Sequence, residues 1–179
     1  MKTYRTHTTG SLSLSLEGRE VILSGWVHRR RDHGGIIFID LRDADGLVQV
    51  VFNPAISPEA HERAQELRNE YVIRARGKVA RRPPGTENPK IPTGEIEISA
   101  EELEILNRSR PLPFPIAEER DVDEALRLKY RFLDLRRPKM RRNLILRHKV
   151  IQFIRLFLWE RGFVEIETPI LIKSTPEGA

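Results

Sequence analysis

Five short apolar runs, with one helix signal between the third and the fourth, occupy residues 20–106, and that order leaves few folds open. The runs are Glu20–His28, rich in Val, Ile, Leu and Trp, then Ile36–Asp43, Leu47–Phe52, Tyr71–Val79 and Glu95–Ser99, the last extending toward Leu106. Between the second and third, Asp43-Ala44-Asp45-Gly46 predicts a tight hairpin with the glycine at positive φ. In the helix signal Ser57 is a good N-cap, Pro58 suits the first helical position, and Ala60, Ala64 and Leu67 fall on one face. The order β-β-β-α-β-β is that of an all-β OB-fold barrel, a small Greek-key barrel that binds oligonucleotides, although another five-strand barrel also satisfies the pattern.

The rest of the chain has a different texture. Asn107–Pro115 reads as a semi-rigid linker, because Pro111, Pro113 and Pro115 alternate with apolar residues. An acidic patch (Glu118, Glu119, Asp121, Asp123, Glu124) precedes a basic run from Arg127 to Lys149 that only Asp134 opposes. A helix is expected over Lys139–Arg161, ended by Gly162, and the alternation in Phe163–Glu167 predicts a strand stopping at Thr168-Pro169. In Val150–Trp159 only Gln152 and Arg155 are polar, and a helix so apolar nearly all round requires burial. One helix and one strand are too little to cover it. The expectation is that the chain is the front of a longer protein, or that a partner covers the helix.

Composition narrows the chemistry. The chain has no cysteine, which excludes disulfide frameworks, thiolate metal sites and a cysteine nucleophile. No apolar run approaches the roughly 18 residues of a membrane span, and the N-terminus lacks the apolar core of a signal peptide, so a cytoplasmic protein is the default. Lys and Arg total 31 against 26 Asp and Glu; the net charge of +5 suggests a polyanion partner only weakly. Asp43–Gly46 is not a calcium loop, since Leu41 and Phe52 stand where ligands belong. There is no Gly-x-Gly-x-x-Gly, no phosphate loop, and no zinc spacing among the five histidines, so no metal site is expected.

The densest signal is Trp26–Asp43, which holds Arg29-Arg30-Arg31, then Gly34-Gly35, then Phe38. Strand side chains alternate faces, so three successive arginines cannot all enter a core, and at least one face here is solvated and basic. Gly34-Gly35 allows a tight reversal close to a ligand. Arginine beside an exposed aromatic suits single-stranded RNA, with charge for phosphate and a flat face for an unstacked base. The plainer alternative, Phe38 in the core and the arginines merely solvated, fits the spacing too.

Trp26–Asp43, with Gly46–Val51 after it, resembles the anticodon-binding domain of bacterial-type aspartyl-tRNA synthetases. Leu126–Arg137 resembles that family's entry to its catalytic domain, and Gly162–Pro169 with Ser174–Ala179 resembles the first class II motif and the segment after it. The resemblance implies an OB-fold anticodon-binding domain over residues 1–106, a hinge over 107–126 and the beginning of an α+β class II catalytic domain over 127–179. By position, Phe38 would stack on an anticodon base, while Gln49 and Arg31 would read or hold the anticodon. Pro169 would lie at a homodimer interface, and Glu177 would hold the α-ammonium group of L-aspartate. No catalytic residue is expected before Ala179. ATP and Mg²⁺ would be bound mainly by parts absent from this sequence, and the fragment alone would be inactive.

His33 and Gly85 carry a finer implication. The aspartate and asparagine tRNAs differ at the third anticodon base, C against U, an amino donor against a carbonyl acceptor. Strict members of the family commonly have Leu at the His33 position, whereas relaxed members have His in the same Arg-Asp-His-Gly-Gly context. An imidazole can donate or accept, so it tolerates either base. The resemblance therefore implies a non-discriminating ligase for tRNA(Asp) and tRNA(Asn). Two alternatives stay open on the sequence: a stand-alone OB-fold RNA-binding module, and a related asparaginyl or lysyl synthetase.

Overall fold

The computed structural model describes residues 3–117 and 120–171. The chain divides into two compact units, Met1–Leu112 and Pro113–Ala179.

The first unit is a closed barrel. Its strands are β1 (Glu20–His33), β2 (Ile36–Arg42), β3 (Leu47–Phe52), β4 (Val72–Arg81) and β5 (Ile96–Asn107), with helix α1 (Pro58–Gln65) between β3 and β4. Around the barrel the order is β1-β2-β3-β5-β4, with β4 closing onto β1. Only β3 and β5 run parallel. This is the OB-fold arrangement, and closure leaves no long sheet edge unpaired. Alternation drives it: Ile37, Ile39 and Leu41 of β2 face Phe52, Val50 and Val48 of β3 across the ladder, and all six are fully buried. The Ser57 hydroxyl accepts from the Ala60 amide at 3.2 Å to cap α1, whose Ala60 and Ala64 close the core together with Leu67.

One turn differs from expectation. Gly46 does not adopt a positive φ. The Asp43 carboxylate instead accepts from the amides of Asp45 (2.8 Å) and Gly46 (3.1 Å), and from the Thr9 amide and hydroxyl at 2.7 and 2.6 Å. A side chain that satisfies the turn amides removes the need for a left-handed glycine. The left-handed pair is Gly34 (φ 60) and Gly35 (φ 77), as a two-residue primed hairpin requires, and β1 runs on to His33 to meet it.

In the second unit, α4 (Pro138–Trp159) covers most of the expected helix. Gly162, at φ 84, donates to the Trp159 carbonyl while Phe163 donates to that of Leu158, a paired closure of the helix end. Two short helices precede it, α2 (Glu124–Lys129) and α3 (Arg131–Asp134), where none was expected. Asp123 caps α2 by accepting from the Leu126 amide. Phe163–Glu167 is irregular rather than a strand. Its alternation has nothing to pair with, because no strand occurs among the described residues of this unit. No residue of α4 is buried within the described chain; Phe153 is 66% and Trp159 67% exposed.

Candidate nucleic-acid interface

The outer faces of β1, β2, β3 and β5 bring together residues that lie far apart in sequence. Directly opposed residues on neighbouring strands project to the same side. Arg31 is opposite Phe38, Phe38 is opposite Val51, Asp40 is opposite Gln49, and Gln49 is opposite Glu97. Phe38 and Gln49 therefore share a face, a point that sequence alone left open. Phe38 is half-buried, its strand neighbours Ile37 and Ile39 fill the barrel, and the reading of Phe38 as a core residue does not hold.

A hydrogen-bonded chain runs across this face. Arg31 Nη2 donates to Asp40 Oδ1 at 2.6 Å and to Gln49 Oε1 at 3.1 Å, while Gln49 Nε2 donates to Glu97 Oε2 at 2.9 Å. The Gln49 amide is thus fixed in one orientation, its oxygen toward Arg31 and its nitrogen toward Glu97. Gln49 is only 6% exposed, whereas the Arg31 side chain is 44% exposed and stays reachable from solvent. Burial pushes the Glu97 carboxyl up from the usual range, against the pull of the Gln49 amide and the Arg82 charge. Burial likewise lowers the pKa of Arg82, which donates to the Ile96 carbonyl at 2.9 Å, and the nearby Glu97 and Asp40 oppose that shift.

Asp40, Arg82 and Glu97 were missed by sequence reasoning. A signal for Asp40 existed, since it lies two residues from Phe38 on one strand and must share its face. Glu97 and Arg82 come from the far end of the unit, and only the parallel β3–β5 pairing brings Glu97 to Gln49. His33 lies exposed at the last position of β1, opposite Ile36. Gly85 lies in the β4–β5 loop at φ 84 with its amide donating to Glu87, a conformation that a residue with a Cβ adopts only under strain.

In the second unit Asp134 is fully buried and receives Arg127 at 3.0 Å, Arg131 at 2.6 Å and Arg137 at 3.5 Å. The single acid of the basic run is thus the hub on which α2, α3 and the start of α4 are tied. Burial raises its pKa, and the arginines, Arg127 foremost, pull it lower still. Pro169 is exposed on irregular backbone. Glu177 lies outside the described residues. Among the described residues no cluster of three or more His, Asp or Glu could hold a metal ion, and none of the helices is long and apolar enough to cross a membrane.

The barrel face offers a flat ring, a reachable guanidinium and a row of amide and carboxylate groups, the inventory for stacking a base and bonding its edge. Comparison with known proteins bears on this. Residues 21–106 match the family of OB-fold nucleic acid binding domains, and residues 123–179 match the class II tRNA synthetases (D, K and N). The aspartate–tRNA(Asp/Asn) ligase of Moorella thermoacetica is 61% identical over 98% of this chain and 29% of its own length. That of Syntrophomonas wolfei is 57% identical over 98% of this chain and 30% of its own length. The chain thus spans about three tenths of these curated relatives. The crystal structure of asparaginyl-tRNA synthetase from Pyrococcus horikoshii matches 95% of this chain and 39% of its own at a TM-score of 0.80 and 28% identity.

Proposed function

Since this chain belongs to the class II tRNA synthetases of the D, K and N branch, we propose that it is the anticodon-reading part, with the entry to the catalytic domain, of an aspartate–tRNA ligase that serves tRNA(Asp) and tRNA(Asn). The observation that carries the proposal is the chain of bonds Asp40–Arg31–Gln49–Glu97 beside Phe38. In this reading one anticodon base stacks on Phe38. The Arg31 guanidinium turns from Asp40 to a base edge or phosphate, and the amide of Gln49, already oriented by Glu97, loses little entropy on binding.

His33 is the residue whose donor or acceptor capacity accommodates either C or U at the third base. Gly85 keeps its position in the β4–β5 loop free of a side chain. The reading rests on the exposed position of His33 at the hairpin, on the left-handed Gly85, and on relatives that are named for both tRNAs.

The whole protein would activate L-aspartate with ATP and pass it to the 3′-terminal ribose. ATP with Mg²⁺ would supply the adenylate chemistry. Glu177 as the aspartate ligand, Pro169 at a homodimer interface and a cytoplasmic setting belong to the same proposal. The uncovered apolar surface of α4 supports a dimer, because exposed Phe, Trp, Ile and Leu on one helix mark a protein contact. Aminoacylation of both purified tRNAs by the full-length protein tests the proposal. Charging of both is expected; charging of tRNA(Asp) alone would remove the relaxed reading, and support of pyrophosphate exchange by asparagine or lysine instead of aspartate would remove the aspartate assignment.

A further inference from the structure

We propose that His28, Arg42 and Glu70 form a register lock, holding a one-residue bulge in β1 that turns Arg29, Arg31 and His33, rather than Arg30 and Asp32, onto the face that meets RNA. The three are positioning residues for anticodon recognition, and the proposal rests on the reading of that face given above.

The bulge is visible in the pairing of β1 with β2. Val27 is opposite Leu41, both fully buried, yet the next paired residue is Arg29, opposite Asp40. His28 is the extra residue. A slip of one position sends every following side chain to the other face. Without the bulge, Arg30 would stand opposite Phe38, Arg29 would share the side of buried Ile39, and Asp32 would take the hairpin position of His33. With it, Arg30 and Asp32 are left to bond each other at 3.3 Å on the reverse side.

Three segments converge to hold the bulge. At Trp26 β1 is paired on both sides, with Val72 of β4 and Arg42 of β2; past it only β2 accompanies it. The edge is closed by two backbone bonds, Val27 N–H to the Tyr71 carbonyl at 2.9 Å and Glu70 N–H to the Val27 carbonyl at 2.7 Å. Just before the bulge a Cβ at Gly25 would collide with the Arg42 carbonyl oxygen, so the two backbones approach closely there. Glu70 is the only non-glycine described at positive φ (66°), although Gly or Asn suits that conformation better. Its side chain supplies the reason for a glutamate. The carboxylate, 9% exposed, receives both arms of the Arg42 guanidinium at 3.0 and 2.6 Å. The same guanidinium stands 3.0 Å from Nδ1 of His28. Burial first, and Arg42 next, lower the His28 pKa, so the neutral ring accepts that bond. An outlying backbone angle retained at a bidentate ion pair is the pattern expected where geometry serves function.

Because residues 1–179 lack cysteine, the barrel holds no competing thiol and register can be read by cross-linking, and the cross-linking arm is independent of RNA. In the full-length protein, the pair Arg31→Cys with Phe38→Cys reports the bulged register, and Arg30→Cys with Phe38→Cys the slipped one; opposed positions lie within disulfide reach. We expect the bulged pair to oxidise at least tenfold more than the slipped pair in a glutathione buffer. Glu70→Gly, which relieves the backbone but deletes the carboxylate, and His28→Leu, which keeps bulk but not the acceptor, should each bring the two pairs to within threefold. His28→Asn, which retains an acceptor, should restore most of the difference. In the full-length protein without the introduced cysteines, Glu70→Gly should cut the preference for the native over an altered anticodon, measured as kcat/KM, by at least tenfold, and Arg31→Ala should then cost under threefold further. An unchanged cross-linking ratio in both Glu70→Gly and His28→Leu overturns the lock. Equal charging of native and altered anticodons by the unsubstituted protein overturns the reading of the face, while the cross-linking arm still decides the lock.

Discussion

The barrel and helix α4 are built from the same apolar residues and end in opposite states. Ile39 and Phe52 of the barrel are fully buried, whereas Phe153 and Trp159 of α4 are about two thirds exposed. The barrel satisfies its backbone by closure and its side chains by interdigitation within residues 3–112. Helix α4 satisfies its backbone alone, since every internal bond is local, and so can form with its apolar surface uncovered. Sheet-based structure must find its partners to exist at all; a helix can wait for them.

The contrast can be broken most directly at the core. Ile39→Ala should cost the barrel about 2–5 kcal/mol, read as a lower urea midpoint of Trp26 fluorescence, whereas Phe153→Ala should leave that midpoint unchanged. Trp26 and Trp159, the only two tryptophans, report the two regions separately once one of them is replaced by Phe. A comparable loss from Phe153→Ala would show that α4 shares the barrel's stability.

Asp43→Asn should destabilise the barrel by about 1–3 kcal/mol, because the turn amides and Thr9 lose a charged acceptor. Burial alone would raise the Asp43 pKa; the bonds from Thr9, Asp45 and Gly46 outweigh it and hold the value below the ordinary one. The folded form therefore binds its proton less readily than the unfolded chain. The stabilisation is complete above the ordinary carboxylate range and is lost as pH falls through the folded value. Urea midpoints at neutral and acid pH should differ less in Asp43→Asn than in the unsubstituted protein.

At the outer face the effect should move from stability to binding. Phe38→Ala should weaken binding of an anticodon stem-loop by about 1–3 kcal/mol with little change in the urea midpoint, as titration of a labelled RNA would measure. The smallest effect is expected at Glu97. Its raised pKa means that the folded form holds the proton more tightly than the unfolded chain does, so its contribution to stability falls as pH rises out of the acid range. Glu97→Gln removes that charge and keeps an acceptor for Gln49, so stability at neutral pH should stay level or rise by under about 1 kcal/mol. A large loss would mean that the Glu97 charge itself holds the face together.

Legibility in the sequence followed the range of the interactions. The helix signals at Ser57 and Gly162, the strand character of β2 and β3, and the tight reversal at Gly34-Gly35 are local, and local chemistry announces them. Phe163–Glu167 was misleading because alternation describes a strand's faces but supplies no neighbour. Helices α2 and α3 were missed because their cohesion lies in three arginines closing on Asp134, not in apolar periodicity.

By itself the sequence determined the order of elements in the barrel, the absence of thiols from these residues and the motifs that resemble the class II synthetases, all properties of residue type and short spacing. Only the tertiary structure decided that Phe38 and Gln49 share a face, that Glu97 orients the amide from a strand 48 residues away, and that Arg31 rather than Arg30 lies beside Phe38. Those outcomes depend on one bulged residue and one parallel pairing, and a shift of a single position in strand register reverses a face without altering any local propensity.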